Sequence, residues 1–306
     1  MYHQKPSRSK LDRIHARPGV PMISVVVPVY RDWSLVKDLL GVLEAQTWRD
    51  FEIILVNNDP DEKEIEVSLP YVSVPVRVID CPAPGSYAAR NRGSEHAAGQ
   101  LLAFTDADCL PDPRWLHGFV SAIDIARDEI LVGPVHMFTT ETPNDWEIFD
   151  AVRGMRQDVF VRHGYGVTAN LAINTSLFRA LNGFDGTRLS GGDAEFCRRA
   201  GRAGVSLRLL HDAIVRHPAR DSKELLETKA RRIKGGQVGT GPLPRRIIWT
   251  IRSLSPPIRE MFAYLRERGK PMRWKLIACR IRMHLWAEEL REIYRLIFLR
   301  HAPERR

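Results

Sequence analysis

Hydrophobic and polar positions along this chain switch between two periods. "MISVVVPVY" is a nearly unbroken β-branched run, the pattern of a strand buried on both faces of a parallel sheet. Leu35, Val36, Leu39, Leu40 and Leu43 then recur at helical spacing behind Asp32 or Ser34 as N-cap. "FEIILVNND", "VPVRVID" and "LLAFT" predict a second, third and fourth strand, and the Ala-rich "SYAARNRGSEHAAG" predicts a helix closing on Gly99. Alternation of this kind means an α/β fold with a parallel or mostly parallel sheet and helices on both faces. Such sheets bind ligands at the carboxyl ends of their strands.

The second half is less regular. "EILVGPVHMF", "GVTANLAIN", "VSLRLL" and "AIVRH" read as strands, "TSLFRALNGF" as a short helix, and "GDAEFCRRAGRAG" as a helix ended by Gly201 or Gly204. Past Asp221 the chain turns helical and basic, broken by "GGQVGTGPLP" and "SPP".

With 306 residues, 44% hydrophobic and 27% charged, the chain can bury a sizeable core and a second, smaller unit. Its four cysteines are scattered without short spacings, so neither a zinc site nor a disulfide framework is indicated, and a reducing, cytoplasmic setting fits. The basic segment 1–20 lacks the apolar stretch of a signal peptide, and no eighteen apolar residues run together. Charge changes the picture more. Residues 245–306 hold sixteen Lys and Arg against six Asp and Glu, a surplus larger than the whole chain's +9.

Candidate chemistry begins where the fourth strand stops. Asp106 and Asp108 straddle one small residue and are followed by two prolines. If the chain bends there, two carboxylates can reach one hard divalent cation, which prefers oxygen ligands and is commonly completed by substrate phosphates. The alternative is that the pair only ends a strand and caps the next segment.

Three segments decide between them: "ISVVVPVYRDWSLVKDLLGVLEAQTWRDFEIILVNND", "PGSYAARNRGSEHAAGQLLAFTDADCLPDPRWL" and "GVTANLAINTSLFRALNGFDGTRLSGGDAEFCRRAGRAG". In this order, over about residues 22–220, they resemble the family 2 glycosyltransferases of the GT-A fold. The resemblance implies a Rossmann-like GT-A domain over residues 21–220, preceded by a disordered basic arm at 1–20 and followed by a basic helical region at 221–306.

It also implies roles. Asp106-Ala107-Asp108 matches the Asp-X-Asp motif, with Asp106 near the nucleoside and Asp108 on a Mg²⁺ or Mn²⁺ ion at the sugar-nucleotide diphosphate. Pro28 and Tyr30 match a loop over the base, and Arg90 belongs to an Ala-Arg-Asn segment near the nucleotide. Where the family usually has Asp-Asp-Gly-Ser, this chain has "VNND", which leaves Asn57 or Asn58 to meet the base edge. Asp193 matches the general base of inverting transfer, in "GGDAEF", with Glu195 on the acceptor side and Gly192 replacing an acid. His217 is a metal-ligand candidate, as GT-A enzymes often supply a C-terminal histidine.

The implied activity is metal-dependent transfer of a hexosyl group from a nucleotide-sugar to an acceptor hydroxyl of a glycan, lipid-linked or other acceptor, in cell-surface polysaccharide or glycolipid synthesis. "GGQVGTG" lacks the Arg-Trp of processive relatives, so one sugar per encounter is expected. The competing reading is an inactive nucleotide-sugar binding or regulatory protein on the same fold. The tail interleaves Trp, Ile, Leu and Phe with Arg, which suits either peripheral contact with the inner face of a membrane or a helical cap on the domain. No nucleic-acid recognition motif accompanies the arginines.

Overall fold

β1 (Ile23–Val29) is the hub of the structure, a computed structural model that describes residues 22–59, 69–124, 127–188, 190–239, 242–299 and 301–303. The expected arm at 1–20 lies outside these residues. All of β1 but Pro28 is buried, as its continuous apolar run predicts for a strand covered on both faces. It pairs in parallel with β2 (Phe51–Asn57) on one side and with β4 (Leu101–Phe104) on the other, while β3 (Val76–Asp80) extends the sheet beyond β2.

With β6 (Glu129–Val132), β8 (Leu171–Asn174) and β9 (Ser206–Leu209), the seven-stranded order is β3-β2-β1-β4-β8-β6-β9. Only β8 runs antiparallel to its neighbours. The chain builds outward from β1 to β3 and then returns to place β4 on β1's other edge. The strand order therefore reverses between β1 and β4, and the crevice at their carboxyl ends is the topological switch point.

Helices cover the sheet where the periodicity predicts them, although Leu35, expected on the apolar face of the first, is exposed. α1 (Trp33–Glu44) starts behind Asp32 and buries Trp33, Val36, Leu39, Leu40 and Leu43, each large side chain contributing about 1.5–3 kcal/mol by leaving water. α2 (Ser86–His96) ends three residues before Gly99, and it approaches the sheet closely at Gly93, where a Cβ would lie 2.4 Å from Val26 Cγ1. α3 (Trp115–Ala122) buries Trp115, Leu116, Phe119 and Val120.

"EILVGPVHMF" is two strands rather than one. β6 joins the large sheet, and after Gly133-Pro134 β7 (Val135–Phe138) enters a three-stranded sheet of order β5-β10-β7, with β5 Leu110–Pro111 and β10 Val215–Pro218. A Cβ at Gly133 would lie 1.8 Å from the Ala213 carbonyl oxygen, so the crossing between sheets requires glycine.

By contacts the chain forms two units, each assembled from separated segments. The first comprises residues 1–135, 156–186 and 193–216; the second 136–155, 187–192 and 217–306. The second is helical, with α4 (Asp145–Arg153), α8 (Lys223–Lys234), α9 (Leu243–Leu254), α10 (Ile258–Leu265) and the 26-residue α11 (Met272–Ile297). Its core packs Ile148, Phe149, Leu226, Tyr264, Ile281 and Leu285, and the break expected at "GGQVGTGPLP" falls late in that stretch: Gly235–Gly239 is a π-helical turn continuing α8, and α9 starts at Leu243. α5 (Gln157–Arg162), α6 (Thr175–Ala180) and α7 (Gly192–Arg202) belong mainly to the first unit, and α7 runs through Gly201.

Candidate active site

β4 ends at Phe104, and the chain turns at once: the Cys109 amide donates to the Asp106 carbonyl at 3.1 Å, and Thr105 Oγ1 donates to the Ala169 carbonyl at 3.1 Å. This is the bend that two carboxylates at i and i+2 need in order to face one ligand. One ligand atom each from Asp106, Asp108 and Cys109 lie within 4.8 Å of one another. Burial pushes the Cys109 thiol well above its ordinary pKa, with Asp106 and Asp108 adding to the effect, so the sulfur stays a neutral thiol. The two carboxylates are therefore the hard ligands of the set, and their chemistry fits Mg²⁺ or Mn²⁺.

Asp106 has a second engagement. The buried Arg90 guanidinium pairs with it from α2. Arg90 also lies 5.9 Å from the centre of the Tyr87 ring, one helical turn back, and the Tyr87 hydroxyl donates to Asp193 Oδ1 at 3.3 Å. Asp106, Arg90, Tyr87 and Asp193 thus form one continuous network. Tyr87 is the member that sequence reasoning missed, although its i, i+3 spacing from Arg90 placed both on one helix face.

Asp193 is the second residue of α7 rather than its N-cap, and it is half-buried. Desolvation raises its carboxyl pKa, opposed by its hydrogen bond from the Ala194 amide, by Arg90 and by Tyr87, while Asp106 adds to the rise. A carboxylate held in this way is a stronger base than one in water. α7 is anchored by Phe196, whose ring centre lies 4.9 Å from that of Phe184 and 5.3 Å from that of Phe178. Glu195 takes a different partner: Arg199 Nε donates to its Oε1 at 2.9 Å, and Arg199 also reaches the carbonyls of Leu181 and Gly183.

At the other rim of the crevice, Pro28 is the half-buried penultimate residue of β1, paired with Val56, and Tyr30 follows the strand. Arg31 Cζ stacks 5.0 Å from the Tyr30 ring centre and Arg31 Nε meets Asp59 Oδ2 at 2.7 Å. Asn57 and Asn58 are buried. Asn57 Nδ2 donates to Asp80 Oδ1 at 3.0 Å. Asn58 Nδ2 donates to the carbonyls of Cys81 and Ala83, and its Oδ1 accepts from the Gly85 amide at 3.0 Å. Asn58 therefore ties down the loop that leads into α2, a job its sequence context did not reveal.

His217 is fully buried on β10. Its Nδ1 lies 2.7 Å from the Pro218 carbonyl oxygen. A carbonyl only accepts, so Nδ1 carries the proton, and in the neutral ring Nε2 keeps the lone pair a metal ligand needs. In the same strand Arg216 is the register partner of Leu110, two residues past Asp108.

Comparison with known proteins bears on this site. A family model described as "Glycosyl transferase family 2" matches residues 24–181, more than half of the chain. The chain belongs to glycosyltransferase family 2. It is 31% identical over 251 residues to glycosyltransferase AglE of Haloferax volcanii, covering 80% of this chain and 79% of that one. It is 28% identical over 232 residues to the pre-mycofactocin glycosyltransferase of Mycobacterium tuberculosis, covering 70% of this chain and 47% of the relative.

Among solved structures it shares the GT-A fold with the mannosyltransferase PcManGT of Pyrobaculum calidifontis, which was solved with GDP-Man and Mn²⁺. The TM-score is 0.54 at 15% identity, over 92% of this chain and 88% of that one. GalNAc-T7, solved with UDP, GalNAc and Mn²⁺, gives 0.53 at 17% identity, over 84% of this chain and 56% of that one. This family 2 protein is therefore a glycosyltransferase enzyme on a GT-A fold. Among its described residues no helix is long and apolar enough to cross a membrane.

Proposed function

We propose that this family 2 enzyme transfers a hexosyl group from a nucleotide-sugar to an acceptor hydroxyl, one sugar per encounter and with inversion at C1. The observation that carries the reading is the network from Asp106 through Arg90 and Tyr87 to Asp193, which ties the donor-side Asp106 to a raised-pKa base. Asp193 takes the proton from the acceptor hydroxyl while that oxygen forms its bond to C1. The bond from C1 to the diphosphate oxygen breaks, and its electron pair leaves with the nucleoside diphosphate.

Asp108 would hold the divalent cation and Asp106 would help place the nucleotide, and that ion would neutralise charge on the departing diphosphate. Arg90 orients Asp106. Pro28 and Tyr30 border the nucleotide, with Asn57 and Asn58 shaping the loop ends beside it, and Glu195 lies on the acceptor side. The stereochemistry is tested by proton NMR of the product during turnover: a β-linked product from an α-linked donor supports the reading, and retained configuration overturns it.

We further place the protein at an anionic membrane surface, on the inner face, where a lipid-linked or glycan acceptor is made. Ile247, Ile251 and Leu254 on α9 and Ile258 and Phe262 on α10 are exposed at helical spacings, and Arg252 and Arg259 are exposed beside them. Apolar side chains flanked by arginine suit insertion among anionic headgroups.

A further inference from the structure

The second unit contains a cavity of about 550 Å³ within the size range of small-molecule sites. Its walls come from α4, α8, α9, α10 and α11, all of that unit. Six cations line it, Arg153, Lys229, Lys234, Arg252, Arg259 and Arg282, against only two acids, Glu260 and Glu289.

The acids are already used. Arg282 meets Glu260 at 2.7 Å and Glu289 at 3.2 Å, and Lys234 meets Glu289 at 3.1 Å. Arg153 meets the buried Asp150 at 3.5 Å, a carboxylate that also acts on Lys229. Arg252 lies over the Trp249 ring at 5.2 Å, and neither it nor Arg259 pairs with a carboxylate among the described residues. The apolar part of the lining includes Phe149, Leu226, Leu285 and Trp286.

A water-accessible concavity with this imbalance calls for a multiply charged anion. Guanidinium forks match phosphate oxygens in pairs, which favours phosphate over a single carboxylate. We propose that this cavity is an anion site for a phosphate or diphosphate group, separate from the donor site and needing no metal.

One further feature fits. Burial, then Arg220 and Arg153, hold the Lys229 ammonium well below its ordinary pKa while Asp150 opposes them, and a bound anion would relieve that repulsion.

The test uses the full chain in chelator without nucleotide, which keeps the outcome independent of the donor reading. Inorganic pyrophosphate is titrated by calorimetry, and phosphatidylcholine vesicles with and without phosphatidic acid are used in flotation. The expected result is saturable pyrophosphate binding, weakened at least tenfold in Arg252→Gln/Arg259→Gln and in Lys229→Met and unchanged in Asp108→Ala and Arg291→Gln. Circular dichroism melts establish that each variant is folded.

Phosphatidic acid flotation that falls with the same cavity variants, with pyrophosphate bound at least a hundredfold more weakly, identifies a lipid headgroup. Pyrophosphate bound as well as the lipid identifies a soluble phosphate. Ile247→Glu/Ile251→Glu separates simple membrane adhesion, since it should spare pyrophosphate binding. Saturable binding of neither probe, or binding that survives both cavity variants, overturns the proposal.

Discussion

The Tyr87 hydroxyl donates to Asp193 Oδ1 at 3.3 Å, which joins the helix that carries Arg90 to the helix that carries the base. That bond favours the ionised carboxylate. Tyr87→Phe removes it and raises the Asp193 pKa further, so the rising limb of the pH–rate profile should move to higher pH. Below that limb kcat should fall by roughly tenfold with little change in KM for the donor. An unshifted profile would show that Tyr87 does not act on the base.

Asp193→Asn should cost about 10²–10⁴-fold in kcat, the range for losing a positioned general base. It should also change the pH dependence of stability. Because the folded-state pKa is raised, Asp193 favours folding while protonated, and that contribution is lost as pH rises through the folded pKa. Asparagine is neutral throughout and can still accept from Tyr87 and the Ala194 amide. Its Tm should exceed the wild-type value above that pKa and converge with it in acid, as a scanning melt across pH would read.

Asp150 carries the opposite sign in the helical unit. Although burial opposes ionisation, Lys229, Arg220 and Arg153 hold its carboxyl at about 2. Its contribution to stability is therefore complete above its unfolded pKa and lost as pH falls from there toward 2. Asp150→Asn leaves three cations around an uncharged group, and urea unfolding at pH 7 should show a loss of about 3–5 kcal/mol. A loss below 1 kcal/mol would mean the cluster is hydrated rather than paired.

Ile247→Glu/Ile251→Glu places carboxylates on the exposed apolar stripe of α9 without touching the unit's core. Flotation with vesicles rich in phosphatidylserine should drop at least tenfold, while transfer to a soluble acceptor persists. Equal flotation would remove the membrane assignment.

The first four strands and the acidic turn were legible because their signals are local. "SVVVPV" and "FEIILV" are buried on both faces, and the chain must change direction where Asp106 and Asp108 follow an apolar strand. The division of "EILVGPVHMF" between two sheets was not, since apolar periodicity is the same in both, and only the approach of Ala213 to Gly133 shows the crossing. The break in "GGQVGTGPLP" was legible, but not that its first five residues continue α8 as a π-turn before α9 starts at Leu243. Asn58 and Tyr87 act through partners far away in sequence, Ala83 and Asp193 among them, which no single-segment pattern exposes.

Whether Asp106 and Asp108 form a metal-assisted nucleotide-sugar site served by Asp193 is decided by titrating nucleoside diphosphates and their sugars into the protein with Mn²⁺, then with chelator, for the wild type, Asp108→Ala and Asp193→Asn, with donor turnover followed in parallel. The expected result is Mn²⁺-dependent binding that Asp108→Ala abolishes and Asp193→Asn retains while losing turnover. Binding indifferent to both chelator and Asp108→Ala, or wild-type turnover in Asp193→Asn, would overturn these roles.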